Sequence, residues 1–319
     1  MGDSTKIEWT DATWNPVVGC TIVSPGCTNC YAMKQAARLL DGNPKASHYA
    51  GTTRKVNGQA VWTGKVALAP EHILTQPLRW KRPRKIFVNS MADLFHEDVP
   101  DEWINRVFAV MALAPQHTFQ VLTKRSARMN QFLANEYGAL PGRIFPYWAK
   151  TAVEQFGTGF KEPQPLDMPL PNVWLGVSAE DQKRADERLP DLRSTPAAIR
   201  FVSFEPLLGP IENIDFTGIH WAIVGGESGH GARPMHPTWE RSIRLQCADA
   251  HVAYLGKQWG QWAHMPERAH FKEGARVEWQ RVPSGVDGVR PALMFKVGKK
   301  AAGRLFDGVE RNGVPEVTA

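Results

Sequence analysis

Three of the four cysteines in this chain, Cys20, Cys27 and Cys30, fall within eleven residues in the spacing C-x6-C-x2-C. The C-x-x-C end aims two thiolates at one point. Gly19, Pro25 and Gly26 make the intervening stretch a loop, which lets the third thiolate join them. Three thiolates suit a soft metal or an iron–sulfur cluster. Such a set also leaves one metal position without a protein ligand, which a catalytic site needs and a structural site avoids. His48 could instead close a Cys3His zinc site; otherwise the ten histidines show no H-x3-H or HExxH pairing. Cys247 shares a helical face with Trp239 and Ile243 and reads as a small core residue.

The elements that must position these groups follow from apolar patterning. Thr13 to Gly19 reads as a short strand leading into the cysteine loop, and Tyr31 to Leu40 as a helix with Met33, Ala36, Ala37 and Leu40 on one face. Residues 41–65 read as a long loop with room for a small hairpin. Short apolar strands then recur at 85–90, 118–124, 172–178, 199–205, 220–226 and 252–258, with helices at 100–114, from Ser126, at 180–188 and at 237–250. Apolar strands alternating with amphipathic helices indicate an α/β fold with a parallel sheet covered by helices. About six to seven such units predict a full or partial (β/α) barrel. Its body spans 1–260, with an insertion at 139–171 and a C-terminal extension at 261–319.

In such a fold the site lies where the strands end. Those ends carry Asn89, Ser90 and Asp93; Thr123, Lys124 and Arg125; Ser178 and Glu180; Ser203 and Glu205; Glu227 and Ser228; and Lys257 and Gln258. The glycines of GGESGHG, beginning at Gly225 and Gly226, form a tight turn that could cradle an adenosyl or amino-acid group. The basic run RWKRPRK (79–85) enters its strand from the opposite end and reads as a solvated face.

Bulk composition bounds the partners. The net charge of +6 and pI near 9.2 are compatible with a polyanionic partner, and some of the twelve tryptophans could stack on bases. No apolar run reaches membrane-spanning length, and MGDSTKIEWTD lacks the features of a signal peptide. The expectation is a cytoplasmic protein without a membrane partner, in which clustered cysteines mean metal more often than disulfide.

The motifs TWNPVVGC, GCTNCYA, IFVNSMADLFHEDVP, HTFQVLTKR, NVWLGVSAED, RFVSFEPLLGP, VGGESGHGARPMHP, KQWG and VGKKAAGRLFDG follow one another along the chain. Together they resemble a phage- and prophage-associated three-cysteine-motif family, carried as a domain of unknown function. The cysteine loop after a first strand also resembles the radical S-adenosylmethionine (SAM) superfamily, although the first gap of six residues departs from the common C-x3-C-x2-C. That resemblance implies a partial barrel in which Cys20, Cys27 and Cys30 hold a [4Fe–4S] cluster. It implies SAM contacts from Tyr31, Asn89, Ser90, Met91, Asp93, Ser178, Glu180, Gly225 and Gly226. Lys124, Arg125, Glu205 and Glu227 are then candidates for contact with substrate or SAM. The implied reaction is reductive cleavage of SAM to a 5′-deoxyadenosyl radical, fed by a donor such as flavodoxin or ferredoxin, to modify or repair a nucleic acid or nucleotide. Two competing expectations are a zinc-binding nucleic-acid-binding protein without radical chemistry, and a barrel-shaped partner protein with a vestigial cluster.

Overall fold

The computed structural model describes residues 5, 7–40, 43–138, 169–264 and 278–316. Most of the insertion expected at 139–171, and part of the C-terminal extension, lie outside these residues. The chain divides into two units: residues 1–23, 30–176 and 194–199 form the first, and residues 24–29, 177–193 and 200–319 the second.

The first unit begins with strand β1 (Ala12–Trp14), followed by β2 (Val17–Val18) and helix α1 (Tyr31–Leu40). The strand expected over 13–19 is thus broken. β1 pairs in parallel with a later strand, whereas β2 pairs antiparallel with β5 (Ala67–Leu68). Pro16 lies at the break and has no N–H to give to a ladder. Between them β3 (Thr53–Val56) and β4 (Gln59–Trp62) form the hairpin that the long loop had room for. Its turn, Asn57-Gly58, has φ of 49° and 77°, the left-handed pair that a two-residue hairpin requires. A short helix α2 (Glu71–Leu74) precedes β6 (Lys85–Val88), α3 (Asp101–Ala112), β7 (Thr118–Thr123) and α4 (Ser126–Gly138). Pro100 takes the N-cap position of α3, and Asp101 and Glu102 in the first turn lie at the positive end of the helix dipole.

Strand β8 (Val173–Ser178) straddles the division. The second unit continues with α5 (Gln182–Ser194), β9 (Ile199–Phe204), β10 (Trp221–Gly225), α6 (Pro237–Asp249) and β11 (Ala253–Gln258). The hydrogen-bonded order is β1-β6-β7-β8-β9-β10-β11, seven strands, with β1 and β11 at its two ends. The expected partial (β/α) barrel is present in this open sheet of successive parallel strands. Every residue of β8 and of β10 is buried, as strands covered on both faces require.

The C-terminal stretch adds β12 (Trp262–His264), β13 (Trp279–Val282), β14 (Ala292–Lys296) and a short helix α7 (Lys299–Ala302). The three strands form an antiparallel sheet in the order β12-β14-β13, which the alternation of the earlier chain did not announce. The chain then returns along β11. Gly256 N donates to Arg311 O at 3.0 Å and Gly313 N to Tyr254 O at 2.8 Å. Phe306 packs where a side chain at Gly256 would stand, its ring 2.6 Å from that position.

The high tryptophan content serves mainly as internal bracing. Indole N–H groups run from Trp14 to Ile73 O (2.9 Å), Trp221 to Gly313 O (2.8 Å), Trp259 to Leu305 O (2.8 Å) and Trp262 to Ala232 O (2.6 Å). Each ring fills core volume while its single donor ties a distant segment in place. Cys247 is fully buried in α6, and burial, followed by the charge of Glu240, pushes its thiol up to about 12. It is the core residue expected.

Among the described residues three histidines are almost wholly inside: His96 and His117 are 1 % exposed and His236 is 2 %. Burial lowers each pKa from its ordinary 6.5, so the folded chain holds fewer protons than the unfolded chain near that pH. Stability is therefore complete above the unfolded value and is lost as the pH falls below it. The urea midpoint should drop between about pH 7 and about pH 5. His117→Gln should flatten that slope, and a midpoint independent of pH across the window would contradict the assignment.

Candidate functional site

In the first unit the strand ends are organised by Asp93, which lies after β6 and is 6 % exposed. Its Oδ1 accepts from Thr123 Oγ1 (2.6 Å) and Phe95 N (3.1 Å), and its Oδ2 from Lys124 N (2.9 Å) and Arg125 Nη1 (3.1 Å). Arg125 also donates to Glu97 Oε2 (2.8 Å) and Thr21 Oγ1 (2.5 Å), and its Nη1 lies 3.8 Å from Cys20 Sγ. Burial opposes the guanidinium charge, but Asp93, Cys20 and Glu97 outweigh it and raise the pKa. Arg125 is thus a fixed, saturated cation.

The neighbouring candidates are also engaged with the protein. Asn89, in the left-handed region at φ 59°, accepts from Val17 N at 3.2 Å. Asn15 Oδ1 receives Ser90 Oγ (3.1 Å) and Met91 N (3.0 Å), and Tyr31 donates its hydroxyl to Ser90 O (3.0 Å). Met91 joins a buried cluster with Val18, Ala32, Met33, Tyr49 and Trp62, against which Cys20 and Cys30 pack. These residues tie the end of β6 to the segment after β1.

In the second unit Glu180 is fully buried after β8. It accepts Gly26 N on Oε1 (3.2 Å) and Arg188 Nη1 on Oε2 (3.1 Å), and Arg188 also reaches Ser178 O (2.6 Å). Glu227, after β10, takes Arg233 as a fork: Nε to Oε2 at 2.9 Å and Nη2 to Oε1 at 2.7 Å, with Asn29 Nδ2 at 3.0 Å. Burial would raise its pKa, yet the Arg233 and Asn29 hydrogen bonds bring it below the usual value. Arg233 further donates to Pro25 O at 2.9 Å. Two glutamates and one arginine therefore clamp residues 25–29, the turn that carries Cys27. Neither Arg188 nor Arg233 was singled out from sequence, since nothing in a lone arginine announces its carboxylate.

The remaining strand-end pair is more open. Lys257 Nζ lies 3.0 Å from Glu205 Oε1, with side chains 18 % and 14 % exposed. Ser203 Oγ donates to Glu205 Oε2 (3.1 Å) and Ser178 Oγ to Glu205 O (3.0 Å). The β10–β11 register pairs Val224 with Gly256 and Gly225 with Gln258, so Lys257 is the extra residue of a bulge. A bulge re-aims one side chain, here the lysine. Gly225 permits this arrangement, because a Cβ there would collide with Glu205 Oε1. Gly226 likewise admits the Trp259 carbonyl. Both glycines thus accommodate the protein's own groups. Beside them Gln258 donates to Gly226 O (3.1 Å), while its buried Oε1 has no hydrogen-bond partner.

Compared with known protein families, residues 4–315 match one described as "Protein of unknown function (DUF5131)". The chain belongs to that family. No curated protein and no solved structure matches it.

For this member of the DUF5131 family the metal expectation is corrected. Among the described residues no group of three or more His, Cys, Asp or Glu is arranged to hold a metal ion. Cys20, Cys27 and Cys30 therefore do not fit a [4Fe–4S] cluster, although none of them is in a disulfide. Their thiols meet local partners: Cys20 donates to Thr21 O (3.4 Å) and lies near Arg125, and Cys27 pairs with Ser24 Oγ (3.8 Å). The radical SAM enzyme, its SAM cofactor and the three-cysteine-motif kinship are overturned together. The zinc reading falls with them, and the ring nitrogens of His48 are buried without a hydrogen-bond partner. Among the described residues no helix is long and apolar enough to cross a membrane.

Arg125 and Asp93 side chains are 5 % and 8 % exposed, so removing Arg125 leaves a buried carboxylate met only by the Thr123 hydroxyl and the Phe95 and Lys124 amides. Arg125→Ala should cost about 3–5 kcal/mol in equilibrium urea unfolding. A loss below about 1 kcal/mol would show that this pair does not hold the first unit's strand ends.

Proposed function

We propose that the strand ends of the second unit bind a nucleotide, either free or as a unit of a nucleic acid, at Glu205 and Lys257. The observation that carries this reading is the bulge: Lys257 is its extra residue and pairs with Glu205, both side chains partly open to solvent, beside a buried acceptor that lacks a donor. Buried polar atoms are nearly always paired in folded proteins, and the Gln258 Oε1 atom is one of several among the described residues, Asn89 Nδ2 and Gln120 Oε1 with it, that have a hydrogen bond still to make.

The chemistry of the three groups is complementary to such a ligand. An ammonium has three N–H donors, and pairing with Glu205 leaves Lys257 capacity for a phosphate oxygen. A carboxylate accepts through both oxygens, so Glu205 can receive a ribose hydroxyl while holding Ser203 and Lys257. Gln258 Oε1 would take a hydroxyl or exocyclic amine. The net charge of +6 favours an anionic ligand at long range. In this reading Glu227, Glu180 and their arginines position the turn at 25–29, Arg125 and Asp93 hold the first unit, and the ligand contacts belong to Glu205, Lys257 and Gln258.

Isothermal titration with nucleoside mono- and triphosphates at low salt should give saturable binding. Lys257→Ala should weaken it about ten-fold or more, and Glu205→Gln less, because the amide still accepts at one atom. Absence of saturable binding across the nucleotides, or binding indifferent to Lys257→Ala, would refute the proposal.

A further inference from the structure

Two half-buried cysteines of the first unit are each set beside positive charge. Arg125 Nη1 lies 3.8 Å from Cys20 Sγ, and the guanidinium is held there by Asp93, Glu97 and Thr21. Cys30 immediately precedes α1, a ten-residue helix whose first turn has no acidic residue. It therefore stands at the positive end of the helix dipole with no carboxylate of that turn to offset it. A neighbouring guanidinium and a helix N-terminus each favour the thiolate over the thiol, and the thiolate is the nucleophile. Both cysteines are partly open to solvent, and neither is in a disulfide.

The backbone brings the two to one wall. Cys20 and Cys30 pack against the same buried cluster, which includes Val18, Met33 and Met91. Gly19 N, just before Cys20, donates to Met91 O (3.2 Å), and Tyr31, just after Cys30, donates its hydroxyl to Ser90 O (3.0 Å). Residues 90–91 thus hold the chain beside both cysteines. The other two thiols are placed differently. Cys27 belongs to the second unit, where its turn is held through Gly26 N and Pro25 O, and Cys247 is fully buried.

We propose that Cys20 and Cys30 form a peroxide-sensitive dithiol that closes to a disulfide. The Cys20 thiolate, the one beside the guanidinium, attacks one oxygen of a hydroperoxide. The O–O bond breaks, the sulfur becomes a sulfenic acid, and the leaving oxygen takes a proton and departs as water or an alcohol. The Cys30 thiolate then attacks that sulfur, the S–O bond breaks, and the hydroxide takes a proton and leaves as water. The peroxide gains the two electrons that the two sulfurs lose, and an external thiol reverses the change. Closure ties the segment after β2 to the start of α1. It concerns the first unit alone, whereas Glu205 and Lys257 lie in the second, and it does not depend on nucleotide binding there.

The test adds one equivalent of hydrogen peroxide to the full, reduced chain and counts the thiols that remain. The folded parent should lose two of its four thiols within one chain. It should do so about five-fold or more faster than chain unfolded in urea before the peroxide is added, because only the folded state sets Arg125 and the helix end beside the sulfurs. Fragmentation of the oxidised parent should map the bond to Cys20 and Cys30, a readout that needs no variant. Cys27→Ser should close as the parent does. Cys30→Ser should stop at a sulfenic acid that dimedone captures at Cys20, and Cys20→Ser should react no faster than the unfolded chain. Melting temperatures matching the parent's separate lost chemistry from lost fold in these variants. Thiol loss no faster than in the unfolded chain, a bond mapped to Cys27, closure prevented by Cys27→Ser, or a disulfide joining two chains would each overturn the proposal.

Discussion

A carboxylate taken out of water at the end of a parallel strand has to be met by positive charge or by several N–H groups, and the architecture is arranged around that demand. Asp93 has Arg125 and two backbone amides; Glu180 has Arg188 and the Gly26 amide; Glu227 has the fork of Arg233 and the Asn29 amide. Desolvation of an unpaired carboxylate costs several kcal/mol, so these pairs exist because the acids do. Each arrangement also recruits a loop: Thr21 in the first unit, residues 25–29 in the second. Electrostatics thereby helps to fix the irregular segments, alongside the apolar cluster against which Cys20 and Cys30 pack.

Much of the fold was legible because burial writes a period into the chain. Val173–Ser178 and Trp221–Gly225 are near-continuous apolar runs, and the observed strands fall within those expected. The turn Asn57-Gly58 carried its own conformational signal. The break after Trp14 was legible in principle from Pro16, whose missing N–H outweighs the apolar run Val17-Val18. The antiparallel sheet at the C-terminus was not, because its strands are short and half exposed, with charged and apolar residues mixed on one face.

The site was legible as positions and not as partnerships. The strand-end acids were found because polar residues interrupt apolar strands at one end of each. Their counter-ions were hidden, since Arg233 is six residues from Glu227 only by way of a glycine-rich turn, and Arg188 reaches Glu180 across a helix. The cysteine spacing misled for a related reason. Sequence proximity says that thiols can converge, whereas Glu180, Glu227 and Arg233 decide where the turn bearing Cys27 is held.

The return of residues 306–313 along β11 has a colloidal consequence. An open parallel sheet ends in a strand whose outward N–H and C=O groups are a template for another chain. Here Gly256 N and Tyr254 O on that margin are already taken by Arg311 and Gly313, with Leu255 bridged to Asn312. The tail acts as a selvedge, finishing the fabric so that it does not knit onto its neighbours. Protein lacking these residues would offer β11 for edge-to-edge growth, which makes the last stretch of the chain a guard of solubility as well as a brace for Trp221.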